Sequence, residues 1–171
     1  LMIPITAGLT LLLSVVGQGI ASTCDEVQFE NQIEYVLSTV GNDLSFLRCV
    51  AAGDVDGDGL DDIMYGAHYS DYQRGRVYLI YGSSLGEALT SADEADVQFQ
   101  GQMWSDQAGR SIAPAGDVDA DGRADVLVGA RNSNDRTGRA YLILGASVDF
   151  GVFDLTDSDV RFLGESRPDE A

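Results

Sequence analysis

Slid against itself by 63 positions, the chain aligns residues 53–108 with 116–171 without a gap, and 23 of the 56 paired residues are identical. A fixed period of this length is the signature of a repeat architecture, in which each unit buries its apolar face only against a neighbour. Gly53, Asp54, Asp56, Asp58, Gly59, Asp62, Gly66 and Ala67 return as Gly116, Asp117, Asp119, Asp121, Gly122, Asp125, Gly129 and Ala130. Gly75-Arg76 and Tyr78-Leu79-Ile80 return as Gly138-Arg139 and Tyr141-Leu142-Ile143, and Asp96-Val97-x-Phe99 returns as Asp159-Val160-x-Phe162. A partial third copy lies upstream, where Glu26-Val27-Gln28-Phe29 resembles Asp96-Val97-Gln98-Phe99.

Within each unit, short apolar runs are separated by turn residues, and no window after the N-terminal segment carries a 3.6-residue stripe. The runs fall at about 47–52, 63–65, 77–81 and 96–100, and at 111–115, 126–128, 140–144 and 159–163. Four short antiparallel strands per unit predict an all-β chain of β-propeller blades at about 44–100 and 107–163, with 26–29 as the outer strand of a preceding blade. Two blades cannot close a ring of about four to eight. The expectation is therefore a partial propeller, completed by further blades of the same longer chain or by self-association.

The chemistry concentrates in two copies of D-x-D-x-D-G-x-x-D. These are Asp54, Asp56, Asp58, Leu60 and Asp62, and Asp117, Asp119, Asp121, Arg123 and Asp125, at positions 1, 3, 5, 7 and 9. Carboxylates at 1, 3 and 5 converge where the backbone curls around one point, Gly at 6 permits the turn, position 7 offers its carbonyl, and position 9 closes the shell. An all-oxygen, flexible donor set suits Ca²⁺, giving two expected sites. An EF-hand needs an acid at position 12, where Tyr65 and Val128 stand, so this loop joins strands rather than helices. A solvated acidic turn is the plainer alternative, but carboxylates about 6 Å apart repel by roughly 0.7 kcal/mol per pair even in bulk water.

Composition sets the rest. The chain has 28 acidic residues, 10 arginines and no lysine, for a net charge of −18. Nucleic acid and anionic membranes are polyanions and are excluded as partners by that charge. Residues 1–24 carry no charge, Leu9–Val16 reads as a signal-peptide h-region, and Gly19-Ile20-Ala21 offers a small-x-small site. Export is expected, although the first arginine is Arg48 and no basic n-region precedes the apolar run. Cys24 and Cys49 are read either as a disulfide or as two thiols.

Gly-Asp-Val-Asp-x-Asp-Gly-x-x-Asp, then an apolar strand ending Gly-Ala, then Gly-Arg-x-Tyr-Leu-Ile-x-Gly, resembles the FG-GAP repeat of integrin α-subunit propellers and bacterial surface proteins. The resemblance covers roughly residues 26–171. It implies loops joining the first and second strands of each blade, carrying Ca²⁺ at one face of a propeller. Departures are Ser45-Phe46 and Ala108-Gly109 at the "FG" position, and Gly66-Ala67-His68 and Gly129-Ala130-Arg131 at "GAP". The implied organisation is a signal-like segment at 1–21, an N-terminal region at 22–43, and blades at 44–106 and 107–171.

No G-x-S-x-G, H-E-x-x-H or P-loop pattern is present, the sole histidine, His68, is read as surface, and no catalytic residue is assigned. Trp104, Tyr69 and Tyr72 are read as a carbohydrate-stacking surface or as loop tips and packing. The expected function is a non-enzymatic, calcium-stabilised, exported segment used in adhesion to an extracellular protein or glycan. The alternative is a propeller region of a larger secreted hydrolase or lyase.

Overall fold

The structure is a computed structural model and describes residues 48–86, 94–134 and 136–165. The signal-like segment, strand 26–29 and Cys24 lie outside the described residues, and with Cys24 goes the question of its pairing with Cys49.

Among the described residues, nine strands form two sheets. In the first, β1 (Arg48–Gly53), β2 (Asp62–Ala67), β3 (Arg76–Ile80) and β4 (Val97–Gln100) follow one another antiparallel. In the second, β5 (Ala108–Gly116), β6 (Asp125–Ala130), β7 (Arg139–Ile143) and β9 (Val160–Leu163) repeat that order. The fold is all-β, a partial propeller of two blades. One strand was not legible beforehand: β8 (Gly151–Asp154) leaves the second repeat and pairs in parallel with β4, making the first sheet five-stranded. Among the described residues, no helix is long and apolar enough to cross a membrane.

Period-two alternation divides each strand between two faces. Met64, Val77, Leu79, Val97 and Phe99 of the first blade meet Val126, Val128, Ala130, Tyr141 and Ile143 of the second in one shared core. The opposite face of the first blade carries Tyr65, Ala67, Tyr78 and Ile80, with Tyr65 and Tyr78 stacked at 4.8 Å. The repeat offset maps that second set onto Val128, Ala130, Tyr141 and Ile143. The blades therefore pack head to tail, one face of the first against the other face of the second.

Close backbone approach sets the spacing. A Cβ on Gly66 would stand 2.1 Å from the Gly109 carbonyl oxygen, and Gly109 itself has φ +81°. These are glycines of the "GAP" and "FG" positions of adjoining blades, and no side chain fits between them.

Candidate metal centre

Each acidic loop opens at a strand end marked by a bulge. The pairing register shifts between Ala51 and Gly53, and between Pro114 and Gly116, and Gly53 and Gly116 have φ +81° and +74°. The chain then curls back on itself, with Gly59 and Gly122 at φ +90° and +93°. The fourth position is also left-handed, at Gly57 (φ +79°) and at Ala120 (φ +63°).

Inside the curl, carboxylates accept from the loop's own amides. Asp54 takes Gly57 N (2.7 Å) and Gly59 N (2.9 Å), Asp56 takes Asp58 N (3.1 Å), and Asp58 takes Leu60 N (2.7 Å). In the second loop Asp117 takes Asp121 N (3.0 Å) and Gly122 N (3.0 Å), Asp119 takes Asp121 N (3.2 Å), and Asp121 takes Arg123 N (2.8 Å). The repulsion between the carboxylates is thus partly offset by backbone donors, which sequence reasoning did not foresee. Each carboxylate oxygen keeps a further lone-pair direction for a cation.

The ninth position does structural work. Asp62 is fully buried, with Oδ2 accepting from Val55 N (2.7 Å) and Oδ1 from Gly82 N (2.8 Å). Asp125, also fully buried, accepts from Val118 N (2.7 Å) and Gly145 N (2.9 Å). Each side chain thereby ties the start of its loop to the turn after the third strand.

Oxygens of Asp54, Asp56 and Asp58 lie within 4.8 Å of one another, as do those of Asp117, Asp119 and Asp125. Asp62 and Asp121 stand outside these two triads. Leu60 and Arg123 occupy the seventh position. Burial, then the charges of Asp58 and Asp54, pushes the Asp56 carboxyl above its ordinary range. Asp119 is raised in the same way, by lost hydration and then by Asp121, Asp125 and Asp117. Asp62 is pushed up to about 6 by burial, with Asp56 and Asp54 adding, against the lowering effect of its two amide donors. An all-oxygen cluster whose members resist ionising together fits a hard dication.

The two loops touch. Ala124 N donates to Asp54 O (2.7 Å), and a Cβ on Gly57 would lie 3.3 Å from Arg123 Nε. Belonging to separate blades does not make them independent, because the head-to-tail packing brings both to one end of the molecule.

The other sequence candidates lie elsewhere. His68 is buried rather than on the surface, against the Tyr69 ring at 4.3 Å. Tyr72 and Trp104 are exposed on the loops at the end of the sheets opposite the acidic pair, with ring centroids 6.1 Å apart. A third pair of acids was missed. Asp96 accepts from Tyr81 N and Ser84 Oγ (both 2.8 Å), and Asp159 from Leu144 N (2.8 Å) and Ser147 Oγ (2.7 Å). Their signal was present, since serine and aspartate both recur at the 63-residue offset.

Two repeated antiparallel blades with an acidic loop between first and second strands define the class. The FG-GAP repeat pattern matches residues 50–80 and 108–143, so the chain carries two FG-GAP repeats, one in each sheet. It is similar to integrin alpha-4 of Xenopus laevis, 31% identical over 121 residues, which is 68% of this chain and 11% of that protein. It is also similar to integrin alpha pat-2 of Caenorhabditis briggsae, 34% over 86 residues (50% of this chain, 7% of that one). For integrin alpha pat-2 of Caenorhabditis elegans the figures are 40% over 79 residues (46% and 6%). The chain spans about a tenth or less of the length of these curated relatives.

Proposed function

We propose that this chain is a non-enzymatic, calcium-stabilised segment of an exported, integrin-like propeller that serves adhesion or ligand binding at a cell surface. The observation that carries the reading is the recurrence of convergent carboxylates in both FG-GAP loops at one end of the blade pair. Asp54, Asp56, Asp58 and Asp62 hold one Ca²⁺, and Asp117, Asp119, Asp121 and Asp125 the other, with the carbonyls of Leu60 and Arg123 completing each shell. The cation supplies charge neutralisation and a cross-link between the first two strands of a blade.

The likeness to integrin α subunits supports the cell-surface setting and a partner that is an extracellular protein or glycan. Further blades of the same longer chain supply the neighbours that these two lack. The test is capture of extracellular-matrix proteins and glycans by the full-length protein in calcium and in chelator. Calcium-dependent capture that maps to the propeller is expected; a hydrolytic activity that maps to residues 48–165 would overturn the reading.

A further inference from the structure

β4 and β9 are the same strand in successive repeats. Val97-Gln98-Phe99-Gln100 and Val160-Arg161-Phe162-Leu163 pair with β3 and β7 in one register, Leu79 with Val97 as Leu142 with Val160, and Val77 with Phe99 as Ala140 with Phe162. Their outer edges differ. β4 is covered by β8, whereas among the described residues no strand covers β9, whose four residues are all exposed.

β8 is a strap from the second repeat onto the first blade. Its flanks are sunk in the shared core through Val148 and Leu155, and Gly151 N donates to Asp96 O (3.0 Å). Phe153 packs on Phe99 at 6.0 Å, and Asp154 both receives Arg74 Nη2 (3.0 Å) and caps the following turn through Thr156 N (3.0 Å). The β4 side has a ready edge. Gly101 N donates to Gly75 O (3.0 Å), so by antiparallel alternation the amides of Gln98 and Gln100 point away from β3, toward β8. In the second blade Gly164 N donates to Gly138 O (3.0 Å), and the same alternation turns the amides of Arg161 and Leu163 outward. A row of outward amides is a template for one more strand.

We propose that the outer edge of β9 is a docking site for an extended strand running parallel to it, supplied by the repeat that follows in a longer chain. The strand is of the β8 kind, a glycine opposite Val160 and an aromatic residue opposite Phe162. Each blade is then stitched to the next by a strand lent backwards. The clasp differs, because Thr137 stands where the first blade has Arg74, so the strand's final residue needs no acid. The identity of the donor rests on the proposal that further blades follow, but the edge chemistry does not.

The probe is a capped peptide of residues 148–157, titrated at millimolar concentration into the full chain in calcium, with amide hydrogen exchange as readout. Exchange of the Arg161 and Leu163 amides should slow by about tenfold, the limit set by about nine-tenths occupancy. The same peptide carrying Phe153→Asp should not slow it. Arg161→Pro removes one outward amide while leaving the β7 bonds intact, so Phe162 stays protected while the peptide effect is lost. Unchanged exchange at Arg161 and Leu163, or equal slowing by a scrambled peptide, would overturn the proposal. Absence of further blades in the full-length chain would instead leave the peptide result standing and remove only the donor.

Discussion

Asp62 and Asp125 each fasten their loop to the blade through paired amide donors, and Asp125 also joins the carboxylate triad of its loop. Their alternation with Asp54 and Asp117 made the cluster legible in sequence. The fastening was not, because the donors at Gly82 and Gly145 lie 20 residues away and approach only once the third strand is in place. The raised Asp62 carboxyl sets a pH dependence with a definite sign. Its folded-state value, about 6, lies above the ordinary value of about 3.9. Its contribution is therefore fully present below about pH 4 and lost as the pH rises through about 6. The metal-free chain should melt higher near pH 5 than near pH 7, with Asp56 and Asp119 acting in the same direction. With calcium the order should reverse, since a cation takes the ionised carboxylate and protons compete for it. Melting curves at both pH values, with calcium and after exhaustive chelation, check both halves. A second prediction concerns Ala120, whose φ of +63° is left-handed where the first loop has Gly57. The left-handed conformation costs an L-residue about 1–2 kcal/mol, and glycine returns about 0.5–1 kcal/mol of that as chain entropy. Ala120→Gly should therefore stabilise by about 0.5 kcal/mol, measurable by urea unfolding.

At the level of strands, the repeat and the period-two pattern were sufficient to place all four ladder strands of each blade within a few residues. β8 escaped because Gly-Val-Phe-Asp has no recognisable counterpart 63 residues earlier, where Ala-Leu-Thr-Ser stands, and because its partner belongs to the other blade. Parallel pairing across repeats is a tertiary fact with no local signature. Gly66 and Gly109 are the opposite case, conspicuous in sequence as parts of the "GAP" and "FG" positions but explained only by the crossing of two backbones. Gly66→Ala should cost about 2–3 kcal/mol, because the added methyl meets a carbonyl rather than a side chain that can move aside. Equilibrium denaturation tests this. Gly59→Ala is a useful contrast, since no atom lies within 4 Å of its Cβ position and only the φ of +90° opposes the change.

Across the whole molecule, head-to-tail packing decides what the blade pair still needs. The face of the first blade that carries Met64, Val77, Leu79, Val97 and Phe99 is buried, and its counterpart in the second carries Leu127, Ala140, Leu142, Val160 and Phe162, with Val160 and Phe162 exposed. A heterologous contact of this kind propagates until the ring closes. The same packing joins the acidic loops through Asp54 O and Ala124 N, so removing one site should disturb the other. Asp56→Ala and Asp119→Ala should therefore be non-additive in calcium-dependent stability, by about 0.5 kcal/mol or more in a double-mutant cycle. The proposed function requires these loops to be cation sites rather than acidic turns satisfied by their own amides. Calorimetric titration of the chelator-treated chain with calcium, paired with melting curves, tests it most directly. Two bound Ca²⁺ per chain and a melting temperature higher by about 10 °C or more at saturation are expected; no heat of binding and superimposable melts with and without calcium would show instead that the loops are acidic turns.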